Sequence, residues 1–83
     1  MKCSQIDVIE VQVLNDYTLC LTFSDGAHGN VDISTLIPFE GIFEPLKNKD
    51  YFARVTVNQD IGTICWDNGA DLSPSLLRKN IQI

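Results

Sequence analysis

The residues of this chain best suited to binding chemistry lie close together, just before a predicted helix start. Residues 66–74 combine an aromatic side chain, carboxylates, an amide and a glycine turn. The free backbone amides at a helix N-terminus favour anions, so a small polar ligand could bind there beside an aromatic ring. Tyr51 is a second aromatic candidate. The candidates for binding a ligand or partner are therefore Trp66, Asp67, Asn68, Gly69, Asp71 and Tyr51.

The same run also has a purely structural interpretation. Asn68 and Gly69 are typical of a tight turn, and Asp71 and Ser73 can satisfy free backbone donors. A single tryptophan such as Trp66 is more often a core anchor whose ring nitrogen finds a hydrogen-bond acceptor. Both interpretations stay open at the level of sequence.

A nucleophilic site can be imagined on the predicted strands. Cys20 and His28 fall on adjacent strands and, in one register, share the face that also carries Asp32. A Cys–His nucleophile needs an orienting acid and an oxyanion site as well, and polar residues on a strand surface explain all three side chains more simply.

Other catalytic patterns are weaker still. The carboxylate pairs Asp25 with Asp32 and Asp67 with Asp71 lie in no evident cleft. The single turn glycines match no phosphate-binding loop. We therefore expect a protein that is not an enzyme and that uses no cofactor.

The cysteines and the one histidine argue against a metal or disulfide framework. Cys3, Cys20 and Cys65 form no C-x-x-C pair, and His28 has no zinc-ligand spacing around it. Structural thiols in a reducing compartment are the simplest interpretation. The N-terminus lacks the apolar core of a signal peptide, and no apolar stretch approaches the length of a membrane span. These features predict a cytoplasmic protein with no metal site and no membrane partner.

Length and charge limit the remaining possibilities. Eighty-three residues predict one domain, residues 1–83, of modest stability. A second copy could cover an apolar face, so a homo-oligomer, in the first instance a dimer, is expected. Eleven acidic residues against six basic ones give a formal net charge of −5, which disfavours direct binding of nucleic acid.

Alternating patterns predict an antiparallel meander in the N-terminal part. Residues 6–14 alternate except for a phase slip at Ile9 and Glu10, which predicts a bulged strand. Residues 17–23 alternate strictly and predict the clearest strand. A hairpin signal ending at Gly26 leads into a third strand over residues 27–33.

Shorter signals predict helices and a second hairpin. Asp32 or Ser34 could cap a helical turn that Pro38 ends. Apolar residues at spacings of three and four predict a short central helix that covers the sheet; they are Phe39, Ile42, Phe43 and Leu46. Strands over residues 53–58 and 63–66 would form the second hairpin.

The C-terminal part predicts one more helix. Ser73 is a good N-cap, Pro74 occupies the favoured first position, and the apolar side follows at Leu76 and Leu77. The predicted fold class is α+β: an antiparallel sheet of four to five strands, made of the meander and the second hairpin, with a short central helix and one C-terminal helix.

So few helices leave part of this sheet uncovered. Cys20, Thr22, Thr63 and Cys65 form a mildly apolar, uncharged face. Such a face suits a second copy or a protein partner, unless the C-terminal helix covers it.

The chain resembles the bacterial domain-of-unknown-function family numbered 2442. The resemblance rests on the order of several short motifs across residues 6–77: Phe23-Ser24-Asp25-Gly26, Gly41-Ile42-Phe43-Glu44-Pro45-Leu46, Tyr51-Phe52, Gly62-Thr63-Ile64 and Trp66-Asp67-Asn68-Gly69-Ala70-Asp71-Leu72. It implies an α+β fold and no known catalytic residues. Members are often encoded beside another short protein, as toxin–antitoxin pairs are. Some carry a helix-turn-helix domain, which we do not expect for this chain.

The resemblance and the residues together predict a non-enzymatic interaction module. It would be the antitoxin-like or regulatory member of a two-protein system, bound to a protein encoded nearby or to a second copy of itself. The alternative is a small-molecule-binding domain that uses the segment from Trp66 to Asp71.

Overall fold

A computed structural model describes residues 6–82 and confirms the α+β class. The five strands form a three-stranded antiparallel sheet in the order β1-β2-β3 and a separate two-stranded antiparallel hairpin, β4-β5. The strands are β1 Val8–Val13, β2 Thr18–Phe23, β3 His28–Asp32, β4 Thr56–Asn58 and β5 Thr63–Cys65. The helices are α1 Ile33–Leu36, a 3₁₀ helix Gly41–Lys47, α2 Lys49–Phe52 and α3 Pro74–Asn80.

The predicted meander and its bulge are confirmed. Val8 pairs with Phe23 and Glu10 with Thr22, so Ile9 is the extra residue in β1. A bulge of this kind leaves one residue outside the ladder and reverses the side-chain phase, which explains the slip in the alternating pattern.

The inner face of the sheet carries the hydrophobic core. Leu19, Leu21 and Phe23 of β2 are fully buried, as the strict alternation of this strand predicts. Phe52, Ile64, Trp66 and Leu77 join them from the hairpin, the helices and the connecting segments. The core therefore unites the meander with the C-terminal half of the chain.

The central segment corrects one predicted core residue. It forms a 3₁₀ helix, in which residues three apart lie on the same face. Leu46 is fully buried and Phe43 half-buried, whereas Ile42, which we expected to face the sheet, is 50% exposed. Ile42 falls outside the three-residue repeat and so points away from the core.

The segment before the second hairpin also differs from the prediction. Residues 49–52 form α2, which the sequence patterns did not predict, and β4 is confined to Thr56–Asn58. The Asn48 side chain accepts hydrogen bonds from the amides of Asp50 and Tyr51 and so caps this helix. Capping at Asn48 directs Phe52 into the core, where it is fully buried.

The C-terminal helix begins as predicted. The Ser73 hydroxyl accepts hydrogen bonds from the amides of Ser75 and Leu76, and Pro74 occupies the first turn. After α3, Gln82 exchanges two backbone hydrogen bonds with Asn30, at 3.1 and 2.7 Å, along the outer edge of β3. None of the helices within residues 6–82 is long and apolar enough to cross a membrane. Cys3, expected to be a structural thiol, lies outside the described residues.

Candidate functional site

The segment from Trp66 to Asp71 forms a tight turn, which we call the Trp66–Asp71 corner. The Trp66 amide donates to the Ala70 carbonyl at 2.9 Å, and the Gly69 amide donates to the Trp66 carbonyl at 3.0 Å. Gly69 has a φ of +90°, a conformation that favours glycine. The tight turn expected from Asn68 and Gly69 is confirmed.

The Trp66 ring is part of the core. Trp66 is only 3% exposed, and its Nε1 donates a 2.9 Å hydrogen bond to the Phe52 carbonyl. The Trp66 and Phe52 rings lie 5.7 Å apart between centroids. The ring therefore anchors the end of β5 to α2 and presents almost no stacking surface to solvent.

Tyr51 and Asn68, two further candidates, are brought together by the fold. The Asn68 amide donates to the Tyr51 hydroxyl at 3.0 Å, and Asn68 Nδ2 donates to the Ile42 carbonyl at 2.8 Å. Asn68 Oδ1 accepts from the Ala70 amide at 3.0 Å. These bonds tie the corner to α2 and to the 3₁₀ helix, which are 17 and 26 residues away along the chain.

The carboxylates of the corner point to solvent. Asp67 and Arg54 form an exposed ion pair, with 3.5 Å between Oδ2 and the guanidinium nitrogen. Asp71 is exposed, and its backbone makes an isolated bridge to Cys65. Trp66, Tyr51 and Asn68 thus tie the corner to the rest of the fold. The exposed candidates are Asp67, Asn68, Gly69 and Asp71.

Cys20, His28 and Asp32 share the outer face of the meander but do not form a hydrogen-bonded array. Cys20 pairs with Asn30, whereas His28 lies opposite Thr22. Diagonal positions of this kind are separated by about 7–8 Å. The Asp32 carboxylate caps α1, since its Oδ1 accepts from the amide and hydroxyl of Ser34 at 3.0 and 2.6 Å.

Three carboxylates of the predicted pairs are likewise engaged in other contacts: Asp25, Asp32 and Asp67. Asp25 accepts hydrogen bonds from the Ala27 amide and from Arg78 Nε, both at 3.1 Å. The Ala27 bond chiefly, and Arg78 after it, lower the pKa of Asp25 against an opposing effect of desolvation. Within residues 6–82, no three His, Cys, Asp or Glu side chains lie close enough to hold a metal ion.

A concave surface lies on the outer side of β1 and β2, and we call it the outer groove. It has a volume of about 590 Å³. The outer faces of β1 and β2 and the residues beside them line one side, and residues 55–57 line the other; the lining includes Glu10, Gln12, Cys20, Thr22, Val55 and Thr56. A neighbouring depression of about 400 Å³ shares Thr56 and Val57 and extends along residues 58–60 to Cys65.

Three of the four residues of the predicted uncharged face lie at this groove or in the neighbouring depression, and the fourth, Thr63, does not. Cys20 and Thr22 line the groove and Cys65 lines the neighbouring depression, but Thr63 is 4% exposed. Thr63 is directed inward because its hydroxyl donates to the Leu72 carbonyl at 2.7 Å. No residue of α3 lines the groove, so the C-terminal helix does not cover this face.

Exposed apolar side chains are concentrated beside the groove, which the sequence patterns did not predict. The described residues expose five large hydrophobic side chains, and Ile9, Val13, Leu14 and Ile61 are four of them, at 51, 36, 39 and 44%. Ile61 belongs to this group because the Val8 amide donates to the Gly62 carbonyl at 2.9 Å. The dense run of β-branched residues in β1 is the sequence signal that could have indicated these exposed side chains.

A comparison with models of known protein families identifies the family of this chain. The model of a family described as "Protein of unknown function (DUF2442)" matches residues 8–82. No curated protein and no solved structure matches the chain.

Proposed function

Because this chain belongs to the DUF2442 family, whose function is unknown, we propose a function from its surface: a non-enzymatic interaction module that is the antitoxin-like or regulatory member of a two-protein system. The observation that carries this proposal is the exposed apolar edge formed by β1. Ile9 and Val13 are exposed along it, Leu14 follows its last residue, and Ile61 adjoins its start. Exposed apolar patches are typical of protein interaction sites.

The two edges of the meander differ in a way that supports this proposal. The edge of β3 pairs with Gln82 through two backbone hydrogen bonds. Among the described residues, β1 has β2 as its only hydrogen-bonded partner strand; the β4–β5 hairpin packs beside β1 and is joined to its beginning by the Val8–Gly62 hydrogen bond. An unpaired edge strand is a template for pairing with another chain.

The charge of the protein favours a basic partner. A net charge of −5 on 83 residues attracts a cationic protein and raises the association rate more than the affinity. The partner we propose is a protein encoded nearby, with self-association into a homo-oligomer as the second mode.

Co-expression with the product of the neighbouring gene tests this proposal. We expect a stoichiometric complex in size-exclusion chromatography with light scattering. Val13→Lys, on the β1 edge, should weaken the complex, whereas Ile42→Lys, an equal change in charge at the other exposed apolar residue, should not. If the chain stays monomeric both alone and with its neighbour, the proposal is wrong.

The second candidate function is small-molecule binding at the Trp66–Asp71 corner. The exposed Asp67, Asn68 and Asp71 favour it, since carboxylates and an amide around a turn are suited to a polar ligand. Trp66 is the only tryptophan, so its fluorescence reports on this corner directly. A saturable change in that fluorescence with one member of a metabolite panel would favour the second function over the first.

A further inference from the structure

Two turns of the fold have the same backbone arrangement. In residues 66–70 the first amide donates to the last carbonyl at 2.9 Å, and the fourth amide donates to the first carbonyl at 3.0 Å. Residues 23–27 repeat both bonds at 2.8 and 3.0 Å, and the fourth residue of each turn is a glycine with a φ of +90°. In both turns the third side chain accepts from the fifth amide. That side chain is Asn68 in one turn and Asp25 in the other.

We propose that Asn68 is a site of spontaneous deamidation, and that opening of the Trp66–Asp71 corner controls its rate. Asn68 is the only asparagine of the chain that is followed by a glycine. Because Gly69 has no Cβ beside its nitrogen, this nitrogen can approach the preceding side chain closely. The modification goes beyond the proposed function and occurs whichever partner the protein binds.

The reaction needs no reagent except water. The backbone nitrogen of Gly69 attacks Cγ of Asn68 and forms a new C–N bond, while the bond from Cγ to Nδ2 breaks. Ammonia leaves with the proton that the Gly69 nitrogen gives up, and a cyclic imide then joins residues 68 and 69. Water adds to one of the two imide carbonyl carbons and reopens the ring, which leaves aspartate or isoaspartate at position 68.

Three hydrogen bonds oppose this reaction in the folded protein. Asn68 Nδ2, the departing group, donates to the Ile42 carbonyl at 2.8 Å, and Oδ1 accepts from the Ala70 amide at 3.0 Å. The Gly69 amide proton, which the attack must remove, is donated to the Trp66 carbonyl at 3.0 Å. The attacking and departing nitrogens must both give up their bonds. We therefore expect the reaction to proceed only from molecules in which the corner has opened.

The second turn provides an internal comparison, because Asp25 precedes Gly26 in the same backbone arrangement. The pKa of Asp25 is lowered from 3.8, chiefly by the hydrogen bond from the Ala27 amide, so the side chain is ionised at neutral pH. An ionised carboxylate resists attack by a nucleophile and has no ammonia to release. We expect Asp25 to stay unmodified while Asn68 reacts.

Deamidation prevents the corner from closing as before. An aspartate at position 68 lacks the Nδ2 donor and places a carboxylate against the Ile42 carbonyl. Isoaspartate also adds a methylene group to the main chain, so the backbone bonds of the tight turn no longer fit. The modification is thus irreversible and loosens the link between the corner and the 3₁₀ helix.

The test follows deamidation of the whole chain by mass spectrometry of tryptic peptides. One sample is incubated folded at neutral pH, and a second is incubated in concentrated urea at the same pH and temperature. Cleavage after Arg54 and Arg78 places Asn58 and Asn68 in one peptide, so Asn58 is an internal control. We expect Asn68 to react first in urea and to react at least about tenfold more slowly in the folded protein, because only open molecules react.

Two destabilised variants separate opening of the corner from a general loss of stability. Trp66→Phe removes the donor to the Phe52 carbonyl and should speed deamidation of the folded protein by about fivefold or more. Gly29→Ala forces a backbone shift at the edge of β3 and should speed it by less than about twofold. Wild type and variants should react at the same rate in urea, where no corner exists.

Several results would overturn the proposal. Equal rates at Asn68 in the folded and the urea samples would show that the fold gives no protection. Reaction of Asn58 or Asp25 as fast as Asn68 in urea would remove the chemical basis. Equal acceleration in both variants would assign the rate to global unfolding rather than to the corner. Circular dichroism checks that both variants fold, and the wild-type comparison decides where one does not.

Discussion

The indole Nε1 of Trp66 donates a 2.9 Å hydrogen bond to the backbone carbonyl of Phe52, and the two rings are in contact within the core. This relationship joins the end of β5 to the last residue of α2. The Trp66–Asp71 corner, which the sequence identifies as a binding candidate, is thus held by a buried hydrogen bond. The exposed apolar edge lies on a different element, β1.

Trp66→Phe should lower the free energy of unfolding by about 1–3 kcal/mol, because it removes the indole donor from the buried Phe52 carbonyl, which then keeps only the 3.2 Å hydrogen bond from the Val55 amide. Urea denaturation followed by circular dichroism measures this change without relying on the lost tryptophan. Tyr51→Phe is the control, since it removes an exposed acceptor that water can replace and should cost less than about 1 kcal/mol. Equal losses of unfolding free energy in the two variants would contradict a stabilising role for the Trp66–Phe52 hydrogen bond.

Asn68→Asp should destabilise the protein by about 1–2 kcal/mol. It keeps the oxygen that accepts from Ala70 but loses the Nδ2 donor to the Ile42 carbonyl and places a carboxylate against that oxygen. The neighbouring Asp67→Asn affects only the exposed pair with Arg54 and should cost less than about 0.5 kcal/mol. Urea midpoints of the two variants test this difference, which should vanish if Asn68 has no tethering role.

Gly29→Ala should release the C-terminal segment from β3. A Cβ at this position would lie 2.7 Å from the Gln82 carbonyl oxygen, so the backbone must shift, at a cost of about 1–3 kcal/mol. Hydrogen exchange should then speed up at the amides of Asn30 and Gln82, which bond to each other's carbonyls. Gly26→Ala strains a turn with a φ of +90° but should leave these two amides protected. Unchanged exchange in Gly29→Ala would contradict the close approach.

Acidification should remove the part of the stability that Asp25 contributes. Its pKa in the folded protein is lowered from 3.8, chiefly by the Ala27 amide and further by Arg78. Because the folded-state pKa lies below the unfolded value, this contribution is full above the unfolded value and is lost as the pH falls through the folded one. Asp25→Asn should therefore lose less stability than the wild type as the pH falls through 3.8 and below it. Arg78→Gln keeps the hydrogen bond from Ala27, so its loss of stability on acidification should be intermediate between those of the wild type and Asp25→Asn. Urea midpoints at each pH measure the stability of all three proteins.

The local elements were predictable because their signals lie within short stretches of chain. Strict alternation in residues 17–23 indicated which side chains of β2 are buried, and the phase slip at Ile9 indicated the bulge. Ser73 and Pro74 predicted the start of α3. The apolar spacing does not predict α2, whose start depends on the side-chain cap at Asn48.

The composition of the candidate corner was likewise contained in the sequence, since residues 66–71 are consecutive. The structural role of the corner could not be predicted from the sequence, because it depends on two distant groups. These are the Tyr51 hydroxyl and the Ile42 carbonyl, 17 and 26 residues away from Asn68. Only packing could turn Trp66 inward against Phe52 and direct the Thr63 hydroxyl to Leu72.

The sequence by itself therefore determined the α+β class, the meander, the helix start at Pro74 and the acidic charge, because alternation, capping and composition act over a few residues. The tertiary structure alone decided that five strands divide into two sheets, that Gln82 pairs with β3, and that β1 faces residues 55–57 across a groove. Those outcomes depend on which apolar faces meet in one core. Pairings between distant segments have no periodic signature in the chain.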